Sequence, residues 1–321
     1  MKAAVIYRAG DAPQLADVPE PQPANDNEVL ITLKAAAIKH FDKAVASGKH
    51  YSSAENAPAH IIGGDGVGLL ADGTRVFALG KGMIAEKAVV EKNRMVPLPE
   101  GISDVAAAAL PNAVAGSAMA LRFRAGIAKG DVVLINGATG FTGRVAVQIA
   151  KHYGAGKVIV TGRNTNTLQQ LLLCGADEAI PILQEDETFT AAIKKLHSET
   201  PVDIVIDYLW GHTAELIISC LQGTGGFTHK TRYVSVGSVT GDKIQLSAAT
   251  LRSADIQLLG SGLGSWSRQE VQQLFTSILP EIFNLAAQGV LTADTETVAL
   301  QNIGTLWQMD VSGGKRLVVV R

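Results

Sequence analysis

Residues 132–150 read Val-Val-Leu-Ile-Asn-Gly-Ala-Thr-Gly-Phe-Thr-Gly-Arg-Val-Ala-Val-Gln-Ile-Ala, and chemistry is most legible here. An aliphatic run suited to a buried strand enters a glycine-rich turn, and the turn opens a helical pattern. Gly137, Gly140 and Gly143 stand three apart. The first permits a tight turn, the second lets the backbone approach a diphosphate, and the third lets the helix pack close on the strand. Thr139, Phe141 and Thr142 fill the turn between them. Free N–H groups and the positive dipole end at a helix start hold phosphate groups. A glycine triplet alone can serve only strand–helix packing. Here both flanks match and another strand–helix unit follows at once, which favours nucleotide binding.

The end of the next strand selects among nucleotides. NAD-binding units place an Asp or Glu there to bond the ribose hydroxyls. This chain has Val160-Thr161-Gly162-Arg163-Asn164 and no acid. Arg163 offers a bidentate phosphate donor, and Thr161 and Asn164 add neutral donors. The expected coenzyme is therefore NADPH (NADP). The plainer role for Arg163 is that of an exposed side chain beside a helix N-cap. Gly237 and Ser238, and Gly260 and Ser261, follow later strands at the carboxyl edge of the expected sheet, where coenzymes lie in open α/β folds.

Around these residues the elements alternate. Strands are expected over 132–136, 157–161, 178–182, 203–207, 232–236 and 256–259. Helices are expected over 142–153, 165–173, 189–197 and 212–221, with Gly175 as a C-cap glycine. Such alternation with short connections implies a doubly wound parallel sheet. The first hundred or so residues read as mostly β, with runs at 2–7, 28–37, 74–79 and 85–90 separated by Gly, Pro, Asn and Asp. A helix opens behind Ser103 and reaches about Arg124 with a break near Pro111. A long helix over 268–288 and a strand over 316–320 close the chain.

Composition narrows the function classes. At 321 residues and 47% hydrophobic content, the chain can build about two domains and a large core. The balance of 28 basic against 30 acidic residues lacks the basic excess of a nucleic-acid binder. No apolar run approaches the roughly 20 residues needed to span a bilayer, so no membrane partner is expected. Residues 1–8 are too short for a signal-peptide core and read as a strand. Two cysteines, Cys174 and Cys220, argue against a disulfide framework and fit a reducing compartment, the cytoplasm.

With these residues in hand, the chain resembles the medium-chain dehydrogenase/reductase superfamily and, within it, the zinc-free quinone oxidoreductase-like members. The resemblance covers essentially the whole chain: residues 1–7, 36–42, 46–51, 63–68, the turn at 137–143, Gly175-Ala176-Asp177, residues 207–211, Val236-Gly237-Ser238 and Gly260-Ser261-Gly262. It implies an α/β fold in which a Rossmann-type domain is inserted into a β-rich, GroES-like catalytic domain. The catalytic domain would comprise 1–113 and 256–321, and the coenzyme domain 114–255. It also implies a cleft between the domains and a homodimer.

Zinc-dependent members of the superfamily carry Cys where this chain has Lys39, and Gly-His-Glu where it has Gly64-Asp65-Gly66. Zinc needs three or four N, S or O ligands. Neither cysteine lies in the expected catalytic domain. Both sit among leucines and isoleucines, where a small buried hydrophobe is expected. The seven histidines show no ligand spacing, so no metal is expected. Zinc polarises a carbonyl as a Lewis acid. Without one, the acceptor must be easily reduced: a quinone or α,β-unsaturated carbonyl, which delocalises the charge that hydride delivers. The expected partner is thus a small-molecule electron acceptor.

Catalytic candidates are Lys39, whose ammonium could stabilise oxyanion charge or simply be a solvated surface charge or a partner of Asp42, and Tyr51, which matches a superfamily tyrosine lining the substrate cleft. His50 is a weaker candidate. Asp65 reads as a residue bonding the backbone of a glycine turn. Ser117 matches a Ser/Thr near the nicotinamide, or is a helix serine bonded to its own backbone. Trp210 walls the cleft or belongs to the core.

Two rival functions share parts of this pattern. Short-chain dehydrogenases begin with the glycine turn and need Tyr-x-x-x-Lys. Here about 130 residues precede the turn, and the Tyr153–Lys157 pair straddles the end of the first helix. The other is an NADPH-binding sensor or regulatory protein on the same fold without robust catalysis.

Overall fold

The computed structural model describes residues 1–48, 58–222, 228–309 and 314–321. The chain divides into two compact units, Met1–Asn112 with Gln272–Arg321, and Ala113–Val271. The expected second boundary at 255/256 is therefore corrected to 271/272. The Ile256–Gly260 strand pairs in parallel with Thr231–Ser235 over five residues, so it completes the sheet of the second unit.

That sheet has six parallel strands in the order Glu178–Pro181, Lys157–Gly162, Val132–Asn136, Ile204–Asp207, Thr231–Ser235, Ile256–Gly260. It is the doubly wound order, in which the chain moves outward from Val132–Asn136 in one direction and then returns to build in the other. The central strands are aliphatic throughout because helices cover both faces; Val133, Leu134, Ile135, Val158, Ile159 and Ile204 are all fully buried. The Phe141–His152 helix is one cover, with Val145, Ala146, Ile149 and Ala150 facing inward. Asp186–Glu199 and Gly211–Cys220 are two more; Phe189, Ile193, Ile217 and Ile218 belong to one core cluster with Leu134 and Val205. Gly175 takes φ +107° just past the Thr165–Leu173 helix, as a C-cap glycine should.

The first unit is β-rich. Its seven-stranded sheet runs Thr295–Ala299, Arg316–Val320, Glu28–Ile38, Asp65–Leu69, Arg75–Leu79, Met95–Pro97, with Lys87–Glu91 also paired to Glu28–Ile38. A three-stranded sheet orders Gln14–Asp17, Lys2–Ile6, His60–Ile61. The terminal strand Arg316–Val320 pairs antiparallel with the end of Glu28–Ile38, so the C-terminus completes the N-terminal unit. Asp65 opens a strand rather than sitting in a turn, because Gly66 and Gly68 let that strand pass close to its neighbour: a Cβ on Gly68 would lie 2.8 Å from the Thr32 carbonyl oxygen.

Two helical expectations are revised. Asp104–Met119 runs unbroken through Pro111 and continues as a π turn, Ala120–Ala125. A proline costs an intrahelical hydrogen bond, but Ala107–Leu110, Ala113 and Val114 are buried on both sides of it and hold the helix. The 22 residues from Asp104 to Ala125 are, by length and composition, apolar enough to cross a membrane, contrary to the expectation that no such run exists; 67% of the apolar window is buried within the protein. The closing helix is interrupted by a π turn at Leu274–Ile278, between Arg268–Gln273 and Leu279–Ala287.

Candidate active site

The strand–turn–helix at 132–152 gives each glycine a separate reason to be glycine. Gly137 has φ +86°, in the left-handed region. Gly143 lies against the backbone of the turn: a Cβ there would stand 2.8 Å from the Ala138 carbonyl carbon and oxygen, and nearer still to its Cα. Gly140, the extended N-cap of the helix, differs. An added Cβ would meet nothing nearer than the Gly137 carbonyl oxygen at 4.0 Å, so this side of the turn is open. The first N–H groups of a helix have no carbonyl one turn behind them. Here they begin at an open glycine, the form of a phosphate cradle.

The other candidates of this unit gather at the same edge. Asn136 pairs in register with Thr161 and Asp207, Asp207 with Ser235, and Ser235 with Gly260. Gly237–Ser238 and Gly260–Ser261 lie at the ends of the last two strands, along the same carboxyl edge of the sheet. Ser238 is exposed and Gly260 has open space around it. Ser261 is buried and accepts the Trp266 indole N–H at 3.2 Å, so its hydroxyl is already engaged. Gly237 approaches the Tyr208 carbonyl, 2.8 Å from where its Cβ would be.

At the end of Lys157–Gly162, Arg163 and Asn164 are exposed. Arg163 has no side-chain partner among the described residues. Asn164 caps the next helix by accepting the Thr167 N–H at 3.0 Å, which leaves its amide nitrogen uncommitted. Thr161 does not join them. Its side chain is fully buried, donates to Asn136 Oδ1 at 2.6 Å and accepts from the Gly137 N–H at 3.3 Å. It braces the turn from below. Thr139 leans over the strand end: a Cβ on Gly162 would lie 3.0 Å from the Thr139 hydroxyl and closer to its methyl. Gly162 is thus a site residue that the sequence did not single out. Ser117 is also fully buried, and donates to the Ala113 carbonyl one turn back at 2.6 Å, the backbone-bonded alternative.

Beneath the edge lies a buried polar network that sequence reasoning missed. Asp207 accepts from Asn136 Nδ2 at 2.8 Å, Tyr233 OH at 2.7 Å, and the backbone N–H groups of Leu209 and Trp210. Burial raises the carboxyl above its usual range, and these donors oppose the shift. The network holds Trp210 at φ 58°, the one non-glycine residue with positive φ among those described. That conformation costs on the order of 1–3 kcal/mol and persists only where its surroundings over-determine it. The indole packs edge-on to Tyr233 at 6.2 Å, against the core cluster, so Trp210 is core rather than wall. A signal existed: two aliphatic strands, 132–135 and 204–206, each end in a polar residue.

In the first unit, Lys39 is the N-cap of the His40–Ala46 helix, and it is buried. Its ammonium hydrogen-bonds Asp65 and lies 3.4 Å from Asp42, whose carboxylate also accepts the Lys39 backbone N–H at 2.8 Å. Arg316, also buried, completes two cations and two anions. Burial opposes the Lys39 charge, but Asp42 and Asp65 outweigh it and raise its pKa. Burial and the nearby Asp65 raise that of Asp42 against the pull of Lys39. Burial lowers that of Arg316 to about 10. Lys39 is thus a buried partner of two carboxylates, not an exposed oxyanion donor. Tyr51 and His50 lie outside the described residues. Cys220 is buried as expected, but Cys174, the C-cap of its helix, is exposed beside Leu173.

A family model described as zinc-binding dehydrogenase matches residues 142–279. A probable NADPH-dependent quinone reductase of Emericella nidulans is 26% identical over the full length of both chains. A quinone oxidoreductase of Sus scrofa is 28% identical, covering 82% of this chain and 79% of its own. Among solved structures, the quinone oxidoreductase of Thermus thermophilus, also determined with NADPH, matches all of both chains with a TM-score of 0.83 and 26% identity. The chain is similar along its whole length to quinone-oxidoreductase-like members of the medium-chain dehydrogenase/reductase superfamily.

Within that superfamily the donor set can be compared with zinc. The two positions that carry Cys and His in zinc-dependent members hold Lys39 and Asp65, joined as an ion pair. An ammonium cannot ligate a metal. Among the described residues no three His, Cys, Asp or Glu side chains are grouped to hold one. These residues do not fit a zinc ion.

Proposed function

We propose that the protein is an NADPH-dependent oxidoreductase that reduces a quinone or α,β-unsaturated carbonyl without a metal ion. The observation that carries this reading is the open face at Gly140, at the start of a helix, with Arg163 at the end of the adjacent strand and unpartnered among the described residues. The first-turn N–H groups of Phe141–His152 would hold the diphosphate. Arg163, with the free amide of Asn164, would take the 2′-phosphate, and no acid stands there to favour NAD. When bound, the nicotinamide supplies a hydride to the acceptor. Thr161, Asn136 and Asp207 hold the turn and the sheet edge still, so that binding costs little reorganisation.

A conjugated acceptor suits the residues available, because its own π system spreads the incoming charge. The Lys39 quartet serves as a fixed brace between the start of the His40–Ala46 helix and the Asp65–Leu69 and Arg316–Val320 strands. Lys39 is therefore a positioning residue, and Tyr51 stands as the candidate donor to the acceptor oxygen. We expect a homodimer. NADPH oxidation across a panel of quinones and enones, run with a chelator, tests the reading. Turnover that survives chelation supports it. NADPH binding without turnover of any acceptor would favour the sensor instead.

A further inference from the structure

The first unit contains a cavity of about 510 Å3 whose walls are mostly aliphatic side chains and bare backbone, among them Ile6, Val45 and Ile62. Five glycines line it, and at Gly64 an added Cβ would meet nothing nearer than Asp42 Oδ1 at 3.9 Å, so the space there is open. A cavity of this size with apolar walls and few polar groups suits a small conjugated ring system.

Its charges are unbalanced. Three lining residues are Arg8, Asp42 and Lys81. Asp42 is buried and already compensated, its carboxylate held by Lys39 within a quartet of two cations and two anions. Arg8 and Lys81 are exposed, and neither side chain has a hydrogen-bond or ion-pair partner among the described residues. Asp11, the acid in the turn that Arg8 opens, gives only its backbone N–H to the Arg8 carbonyl at 3.1 Å. His60 adds a ring whose Nδ1 bonds the Pro58 carbonyl at 3.0 Å. Two uncompensated cations therefore stand over an apolar floor, in a chain whose net charge is −2. Low-dielectric walls focus such a local field and draw in the opposite charge.

We propose that this cavity binds an amphiphilic anion: a conjugated, apolar acceptor body carrying a carboxylate, sulfonate or phosphate that Arg8 and Lys81 hold at the mouth. The proposal rests on the reductase reading for the word acceptor, but the cavity and its charges stand independently of it. Gly64 is where the ring lies, and the Asp42–Lys39 pair closes the inner end.

Two measurements test this. The first is calorimetric binding of naphthalene-2-sulfonate, which cannot be reduced, to the protein without coenzyme. Arg8→Gln with Lys81→Gln should weaken it about tenfold, about threefold for each exposed charge removed. Gly64→Val, which fills the open space from a position with ordinary backbone angles, should weaken binding of naphthalene-2-sulfonate and neutral naphthalene alike. The second is NADPH oxidation with 1,4-naphthoquinone and its 2-sulfonate. The sulfonate-to-neutral ratio of kcat/KM should fall about tenfold in the double variant and also on raising salt, which screens exposed charges. Lys92→Gln with Lys129→Gln, two exposed lysines outside the cavity, should leave the ratio in place. Equal naphthalenesulfonate binding by wild type and the Arg8/Lys81 double variant would overturn the inference. A wild type that binds the sulfonate through Arg8 and Lys81 yet reduces neither quinone would overturn the reductase reading and leave the anion site standing.

Discussion

Gly140 and Gly143 lie three residues apart in one turn, yet alanine at each should do opposite things. At Gly143 the new Cβ would sit 2.8 Å from the Ala138 carbonyl group and closer to its Cα, with backbone rather than a yielding side chain in the way. Forced overpacking of this kind costs about 1–3 kcal/mol. Alanine in place of glycine within a helix returns about 0.5–1 kcal/mol. The net is a loss of about 1–2 kcal/mol, which in a unit of this size lowers Tm by about 2–4 °C per kcal/mol. At Gly140 the backbone angles are −79° and 166°, allowed for any residue, and the nearest atom stands 4.0 Å away. Alanine there should leave Tm within about 2 °C, since substitutions that touch nothing stay within about 0.5 kcal/mol. Its methyl nevertheless fills the space assigned to the diphosphate, so NADPH affinity, read by fluorescence titration, should fall at least about tenfold. Unchanged affinity in Gly140→Ala would mean the open face holds no diphosphate. An unchanged Tm in Gly143→Ala would mean the close approach to Ala138 is not what requires glycine.

Three further outcomes are expected. Arg163→Ala should weaken NADPH about tenfold to a hundredfold through loss of charge-assisted hydrogen bonds while NADH affinity stays level; equal losses for both would refute the 2′-phosphate assignment. Lys39→Met leaves two buried carboxylates, Asp42 and Asp65, facing Arg316 alone and should cost about 3–5 kcal/mol in denaturant unfolding, whereas adding Asp65→Leu should recover part of that loss; no recovery would place the damage elsewhere. Burial, then the neighbouring His229, lowers the His197 pKa below its ordinary 6.5, while Asp203 opposes the shift. Its Nδ1 accepts the Val202 N–H at 3.1 Å, so folding favours the neutral ring. That stability is present above about pH 6.5 and is lost as pH falls through the lowered value; Tm measured against pH should decline more steeply below pH 6.5 in wild type than in His197→Gln.

The parallel sheet was legible because its signal is local. A strand buried on both faces must be aliphatic, and its helices must repeat near 3.6 residues, so 132–221 could be parsed almost element by element. The β-rich unit was read less completely. Its strands at Gln14–Asp17, His60–Ile61 and Met95–Pro97 are two to four residues long, too short for a period of two to declare itself. The boundary at 271/272 was misplaced because the Ile256–Gly260 strand, partly exposed along its length, looks in sequence like the start of the next domain. Only its parallel register with Thr231–Ser235 assigns it.

The site divides along the same line. What the backbone does at Gly137, Gly140 and Gly143 follows from residue type, because only glycine suits a left-handed turn, a bare face and a backbone contact, and the structure gives each its own steric reason. What a charged or hydroxyl side chain does depends on a partner that spacing does not reveal. Lys39 is followed three residues later by Asp42, which suggested a pairing, but Asp65 and Arg316 arrive from strands 26 and 277 positions away. With both carboxylates present, burial holds the ammonium in place instead of offering it to a substrate. Thr161 stands two residues before Arg163, yet it is still inside the strand and turns inward to Asn136, whereas Arg163 lies just past the strand end and is exposed. Neighbours in a strand end therefore divide between bracing the turn and facing the ligand. A sequence can name the edge where chemistry happens, but the residue at which each strand ends decides which side chains reach it.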